Sequence, residues 1–311
     1  MNVSGLFRSR QRSWIILCFF LISIAAPLAA PYDPDAQADL RTSRLVVPLG
    51  SGFLRNDSSE MQTSGSGAIS TLSGRFKPHN AMFLLGTDNL GRDVLSRLLY
   101  ALRISLLIGM GAMVLSLFAG VVIGIAAGMS RNGLLDHLLM RIVDLFLSIP
   151  AIFLVIVIVA FFGNSVTLLI LVLAGTGWMS VARLVRGEVL HLRDREFVLA
   201  ARMLGCPDWR IILDHILPNI LPTVVVSSAL QLGNVVLAEA SLSFLGLGVQ
   251  PPTPSLGNMI GESLAYFDRG WWVGIFPGIV LTLIVFLTNR FAEYIKEQSE
   301  AGSIPPGGAE I

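Results

Sequence analysis

From Leu145 to Ala182 the chain carries no charged residue. A hydrocarbon core of roughly 30 Å is crossed by about 20 apolar helical residues, so this run is too long for one crossing. Gly163, Asn164 and Ser165 supply a turn that would divide it into two. Further uncharged stretches cover 14–30, 104–129, 216–238 and 271–289. Lipid gives a peptide group no hydrogen-bond partner, so each crossing must be a helix that bonds to itself. The expectation is an all-α integral membrane protein with about six transmembrane helices. Composition agrees: of 311 residues, 53% are hydrophobic and 14% charged, where a soluble chain carries roughly 25% charged. The 14–30 run follows Arg8, Arg10 and Arg12 and ends in small residues, which is also the pattern of a cleaved leader. With several spans downstream, a first anchor is the more natural reading.

Basic residues set the expected orientation. With the amino terminus inside, the inside segments 1–13, 130–141, 183–215 and 290–311 hold most of the arginines, and the short outside loops hold only Arg269. Both termini are therefore expected in the cytoplasm. Residues 35–80 are rich in Ser, Gly and Asp without helical or strand period, and read as a flexible external loop. The expected domains are 1–34 (terminal segment and first span), 35–97 (external loop and lead-in), 98–290 (five-helix core) and 291–311 (cytoplasmic tail). A net charge of +1 leaves no footprint for nucleic acid. Cys18 and Cys206 do not suggest a disulfide framework.

Within the spans, Gly120, Gly124 and Gly128 recur every four residues and line one helix face, where small residues permit close backbone approach. Glycine is also simply common in membrane helices. Pro150, Pro222 and Pro277 are expected to kink spans. Asp144 and Glu239 lie at span ends, where a hydrated carboxylate is expected.

The 183–215 segment is the informative one. Glu196, Ala200 and Ala201 are placed on one helical face, and Gly205 is a natural helix stop. Pro207 prevents continuation, and Asp208 is expected to cap a second short helix opening with Trp209 and Arg210. Two helices joined through a glycine turn form a slim cytoplasmic knob that can enter a groove on another protein. An amphipathic helix lying at the interface is the plainer alternative.

Glu196 through Ala200, Ala201 and Gly205, followed by Ile216, Leu217 and Pro218, resembles the "EAA" loop of binding-protein-dependent ABC importer permeases. Gly86, Gly91, Arg92, Asp93, Ser96 and Arg97 resemble the segment before the second span of the dipeptide/oligopeptide/nickel subgroup. Leu242 to Pro254, with Gly246, Gly248, Pro251 and Pro252, resembles that subgroup's external loop, and the order of motifs points to the C-type permease subunit. The resemblance implies that Glu196, Ala200, Ala201, Gly205, Asp208, Ile216, Leu217 and Pro218 dock a cytoplasmic ATPase. It also implies a second permease subunit, an external solute-binding protein and the lipid of a bacterial-type inner membrane, with peptides, nickel or a peptide-like conjugate as solute. No cofactor or metal site is expected. Lys77 and Lys296 are the only lysines and neither follows G-x-x-x-x-G, so ATP chemistry must lie on another chain. The span interiors lack the ionisable groups that a secondary transporter uses for ion coupling. His79, His137, His191 and His215 stand singly, without the ligand spacing of a metalloenzyme.

Overall fold

A computed structural model of the chain describes residues 30, 31, 33–35, 45–48, 83–130 and 133–302, without the side chains of 299–302. The first expected span and nearly all of the 35–80 loop lie outside the described residues. Among those described there are helices and no strands, with one isolated bridge between Thr87 and Asp93.

Helix α1, Val94–Met129, has 36 residues. At about 1.5 Å per residue it is longer than the hydrocarbon core is thick. Asp93 starts it: the Ser96 backbone N–H and hydroxyl both donate to Asp93 Oδ2, at 2.8 and 2.6 Å. Asp93 is buried, and burial pushes its carboxyl above the ordinary value while the Ser96 hydrogen bonds pull it back. Helices α2, Leu134–Leu147, and α3, Ala151–Phe162, meet at a bend of 78°. Pro150 forces the bend: it has no N–H to donate and steers Ile149 away from helical geometry. Ser148 closes α2 by donating its hydroxyl to the Leu145 carbonyl at 2.6 Å. Helix α4, Val166–Arg193, begins where Ser165 Oγ accepts from the Leu168 N–H at 3.1 Å, so the expected turn at 163–165 is present.

Beyond α4 come α5, Glu196–Met203, and α6, Asp208–Ile211. A π-helical turn over Ile212–Ile216 joins α6 to α7, Leu217–Phe244. Helix α8, Leu256–Ser263, is held by a reciprocal Ser255/Asn258 capping box, and α9, Phe267–Gly302, closes the series. Among the described residues, four helical segments are long and apolar enough to cross a membrane, or five if the α2–α3 pair is one broken span. The non-helical backbone in α9 is at Gly270 (φ −142°, ψ 42°) rather than at Pro277.

The chain groups into two units. One contains Leu106–Glu239 and the chain from Thr282; the other contains Ala240–Leu281 and the described residues up to Ser105. In the first unit, Gly120, Gly124 and Gly128 of α1 sit against Val181, Val185 and Val189 of α4. A Cβ on Gly124 would stand 2.7 Å from the Ala182 carbonyl oxygen and 2.7 Å from Val185 Cβ. Both rows repeat every four residues, so glycine hollows receive valine ridges along the whole contact. Lipid is as apolar as valine, so dispersion from this close approach, rather than water release, holds the pair.

In the second unit a buried ion network does the equivalent work. Asp88 Oδ1 accepts from the backbone N–H of Leu90 and Arg92, both at 2.9 Å, and Asp88 Oδ2 pairs with Arg92 Nε at 2.6 Å. Arg92 and Arg97 each reach Glu262, at 3.2 and 3.5 Å. Trp272 Nε1 donates to the Thr87 carbonyl at 3.1 Å. The Gly86–Arg97 motif is thus a buried structural knot.

Glu239 departs from the hydrated-boundary expectation. It is fully buried within α7, several residues before that helix ends. Asp144 is exposed and pairs with Arg183 at 2.7 Å.

The glycine–valine contact gives a direct test. Gly124→Val adds side-chain bulk where neither carbonyl nor Cβ can yield, and overpacking of this kind costs about 1–3 kcal/mol. Gly175→Ala, on the same membrane scaffold with nothing within 4 Å of the added Cβ, is expected to be neutral or slightly stabilising. Thermal stability of the two detergent-purified variants checks this; equal melting temperatures would remove the contact's role.

Candidate functional site

Helix α4 continues through Arg183 to Arg193, so the first third of the 183–215 segment is an extension of a span. Two arginine–aspartate pairs steady that extension. Arg186 grips Asp136 of α2 through Nε and, at 2.6 Å, Nη2, and Arg183 pairs with Asp144. Arg193 Nη1 donates to the Gly128 carbonyl at 2.9 Å, at the end of α1 where carbonyls lack helical partners. The next residues fold back as a helical hairpin.

The hairpin turns at Gly205. The Gly205 N–H donates to the Arg202 carbonyl at 3.0 Å, and the Cys206 N–H to the Ala201 carbonyl at 3.1 Å. This is the paired bonding that ends a helix through a left-handed residue, and Gly205 supplies it at φ +82°. Glycine adopts that backbone without Cβ strain. Pro207 then occupies the cap position of α6, making Asp208 its first helical residue rather than its cap. Asp208 pairs instead with Arg202 at 3.6 Å, across the turn. Pro218 cannot donate to the Asp214 carbonyl and its ring crowds that oxygen. The π turn over Ile212–Ile216 widens the helix just ahead of it, so α6 runs into α7 without a break. Asp208–Phe244 is thereby one 37-residue helical segment, from the hairpin into the membrane-capable stretch.

Val198, Ala201, Ile211 and Ile216 face inward, against Val185, Val189 and Ile220, with Leu217 and Cys206 partly buried beside them. Glu196, Ala200, Gly205, Asp208 and Pro218 are exposed. The single alanine face read from the sequence is therefore divided. Consecutive residues on a helix point about 100° apart, so Glu196 and Ala200 share the outer face while Ala201 turns to the core.

Met203, Leu204 and Leu213, which sequence reasoning missed, dominate the outer surface together with Trp209. Met203 is 89% exposed and Leu204 85%, at the tip beside Gly205; Trp209 and Leu213 follow on the returning helical arm. The Arg210 guanidinium stacks over Trp209 at 5.2 Å. Their signal was a Met-Leu pair placed directly before the helix stop, where solvent exposure is greatest. Large apolar side chains gathered at an exposed tip form a surface that another protein could cover. The hairpin holds no nucleophile and base in hydrogen-bonding reach, and Cys206 stands alone and half-buried.

Residues 120–298, which include this hairpin, α4 and α7, match the family model described as "Binding-protein-dependent transport system inner membrane component". The chain belongs to that family. This permease is 35% identical over 282 residues, 91% of it and 84% of the relative, to the di/tripeptide transport system permease protein DppC of Pseudomonas aeruginosa. It is 39% identical over 76% of its length to a putative peptide transport system permease protein of Brucella suis, covering 79% of that protein. With the oligopeptide transport system permease protein OppC of Mycobacterium bovis it shares 37% identity, over 73% of this chain and 78% of that one. The resemblance carried by the Gly86–Arg97, Glu196–Gly205 and Leu242–Pro254 stretches is borne out at the level of the family.

Proposed function

We propose that this permease is one of two membrane-spanning subunits of an ATP-driven importer of di- or oligopeptides, and that the Glu196–Asp208 hairpin docks its separate ATPase. The observation that carries the docking reading is the exposed Met203–Leu204 tip on a hairpin continuous with α7. A groove on the ATPase that covers this tip gains the burial of two large apolar side chains, each worth about 1.5–3 kcal/mol in transfer from water. Ala200 and Gly205 keep the flanks slim, so the groove can close on the backbone. An external binding protein delivers the solute to the other side of the membrane.

Movement of the ATPase pair then acts on a lever. The tip is fastened to α7 through the Asp208 helix and π turn, to α1 through Arg193, and to α4 through its shared core. A push on the hairpin tilts those helices and opens the pathway to one side and then the other. The chain itself supplies no phosphate-binding lysine, so hydrolysis belongs to the partner.

The orientation proposed is that both termini and the hairpin are cytoplasmic, supported by the clustering of arginines in the expected inside segments. Cysteines placed singly at Ser66 and Ser299 test it in intact cells with an impermeant thiol reagent. Labelling at position 66 and none at 299 is expected; the reverse pattern inverts the topology.

Docking is tested by Gly205→Asp. Within this chain nothing lies within 4 Å of the added Cβ, and aspartate tolerates left-handed backbone better than most residues. The variant is therefore expected at ordinary abundance in the membrane. Burying its unpaired carboxylate under the ATPase costs several kcal/mol, which weakens docking by roughly a thousandfold at 1.4 kcal/mol per tenfold. Co-purification of the ATPase and peptide uptake should both be lost. Glu196→Ala is expected to be mild, since a surface carboxylate contributes under about 1 kcal/mol. Normal co-purification and uptake with Gly205→Asp would rule the hairpin out as the coupling element.

A further inference from the structure

Between α4 and α7, within the first unit, lies a groove of about 310 Å³. Thr176, Gly177 and Ser180 line it from α4, and Ser227, Gln231 and Asn234 from α7. The α7 residues recur at intervals of four and three, so they form one polar stripe along a single face of the helix. Thr176 is ten residues from the Val166 end of α4, and Asn234 is ten residues from the Phe244 end of α7. At 1.5 Å per residue both lie about 15 Å from those helix ends, inside segments long and apolar enough to cross a membrane. A hydroxyl or carboxamide at that depth is unfavourable against lipid and belongs against protein or a water-filled cavity.

The arrangement within the groove is specific. Gln231 Nε2 donates to Ser116 Oγ at 2.5 Å, while Gln231 Oε1 is buried without a hydrogen-bond partner. Gly177 makes that placement possible, because a Cβ there would stand 2.5 Å from Gln231 Nε2. Ser180 and Asn234 are exposed at the groove's mouth. No ionisable residue lines it.

We infer that this groove is the permease's own share of the solute path, and that it holds peptide through main-chain amides rather than side chains. Every peptide unit offers one N–H and one C=O whatever its side chain. Neutral amide and hydroxyl groups can satisfy both, and a lining without charge neither attracts nor repels acidic or basic side chains. The inference rests on the importer reading above and adds the residues and the mode of recognition.

The test uses the assembled transporter in membrane vesicles, with its binding protein and with Cys18→Ser and Cys206→Ser as background. Single cysteines replace Ser180, Asn234 and, as a control on the outer surface of α4, Leu171. A small water-soluble methanethiosulfonate is the probe, because only a hydrated thiolate reacts. Ser180→Cys and Asn234→Cys are expected to react roughly tenfold faster than Leu171→Cys or more, with saturating dipeptide slowing them and modification stopping uptake. In a second arm, Asn234→Leu should reduce uptake of acidic, neutral and basic dipeptides by a similar factor. Reaction no faster than at Leu171 with uptake intact would overturn the groove as solute path. Loss of uptake confined to one charge class would overturn main-chain recognition. Absence of ATP-driven dipeptide uptake by the unsubstituted transporter would instead overturn the importer reading.

Discussion

A peptide group in hydrocarbon has only its own chain to bond to, and this constraint organises the whole molecule. It makes every crossing a helix and makes every break a place that needs a local remedy. At the 78° bend the Ser148 hydroxyl returns to the Leu145 carbonyl; at 163–165 the Ser165 hydroxyl accepts a free N–H. At the hairpin tip Gly205 adopts a left-handed backbone so that two amides can close onto α5. Ahead of Pro218 the helix loosens into a π turn instead of stopping. The last two adjustments matter for the proposed coupling. The first turns the chain back on itself, and the second keeps the returning arm continuous with a membrane helix.

In the proposed coupling, continuity carries movement of the hairpin into the membrane helices. The hairpin shares one core with α4 and α7, built from Val185, Val189, Val198, Ile211, Ile216 and Ile220. Close-packed side chains transmit displacement because there is no free volume to absorb it. Arg186 and Arg193 add two fixed points, on α2 and on the end of α1. The polar groove between α4 and α7 lies on the same two helices, so the proposed docking surface and the proposed solute path share one scaffold.

Much of this was legible in the sequence. Among the described residues, uncharged runs located the spans in α1, α4, α7 and α9, and the glycine, asparagine and serine at 163–165 located a turn, because lipid imposes composition and length directly. The Gly205 stop was legible because helix ends have a local chemical signature. Glu239 was not: its distance from the span end said boundary, while packing within the bundle buried it. Ala201 and Asp208 were misplaced for a related reason. Which face of a short helix turns inward depends on the neighbours it meets, and those come from residues far along the chain. The groove escaped notice because Thr176, Ser180, Ser227 and Asn234 are individually unremarkable and become a site only when two helices bring them together. The Gly86–Arg97 motif was recognised by likeness, but its role as an ion-paired knot needed Glu262 and Trp272 from far downstream.

The account stands on the hairpin tip being covered by the ATPase. A photo-activatable benzoyl-phenylalanine incorporated at Leu204 measures this in the assembled transporter in its native membrane, with Leu171 as the lipid-side comparison. The account predicts a covalent adduct between the position-204 probe and the ATPase subunit, and none from position 171. Adducts from position 204 only with lipid or with the partner permease, in vesicles that still accumulate peptide on addition of ATP, would contradict it.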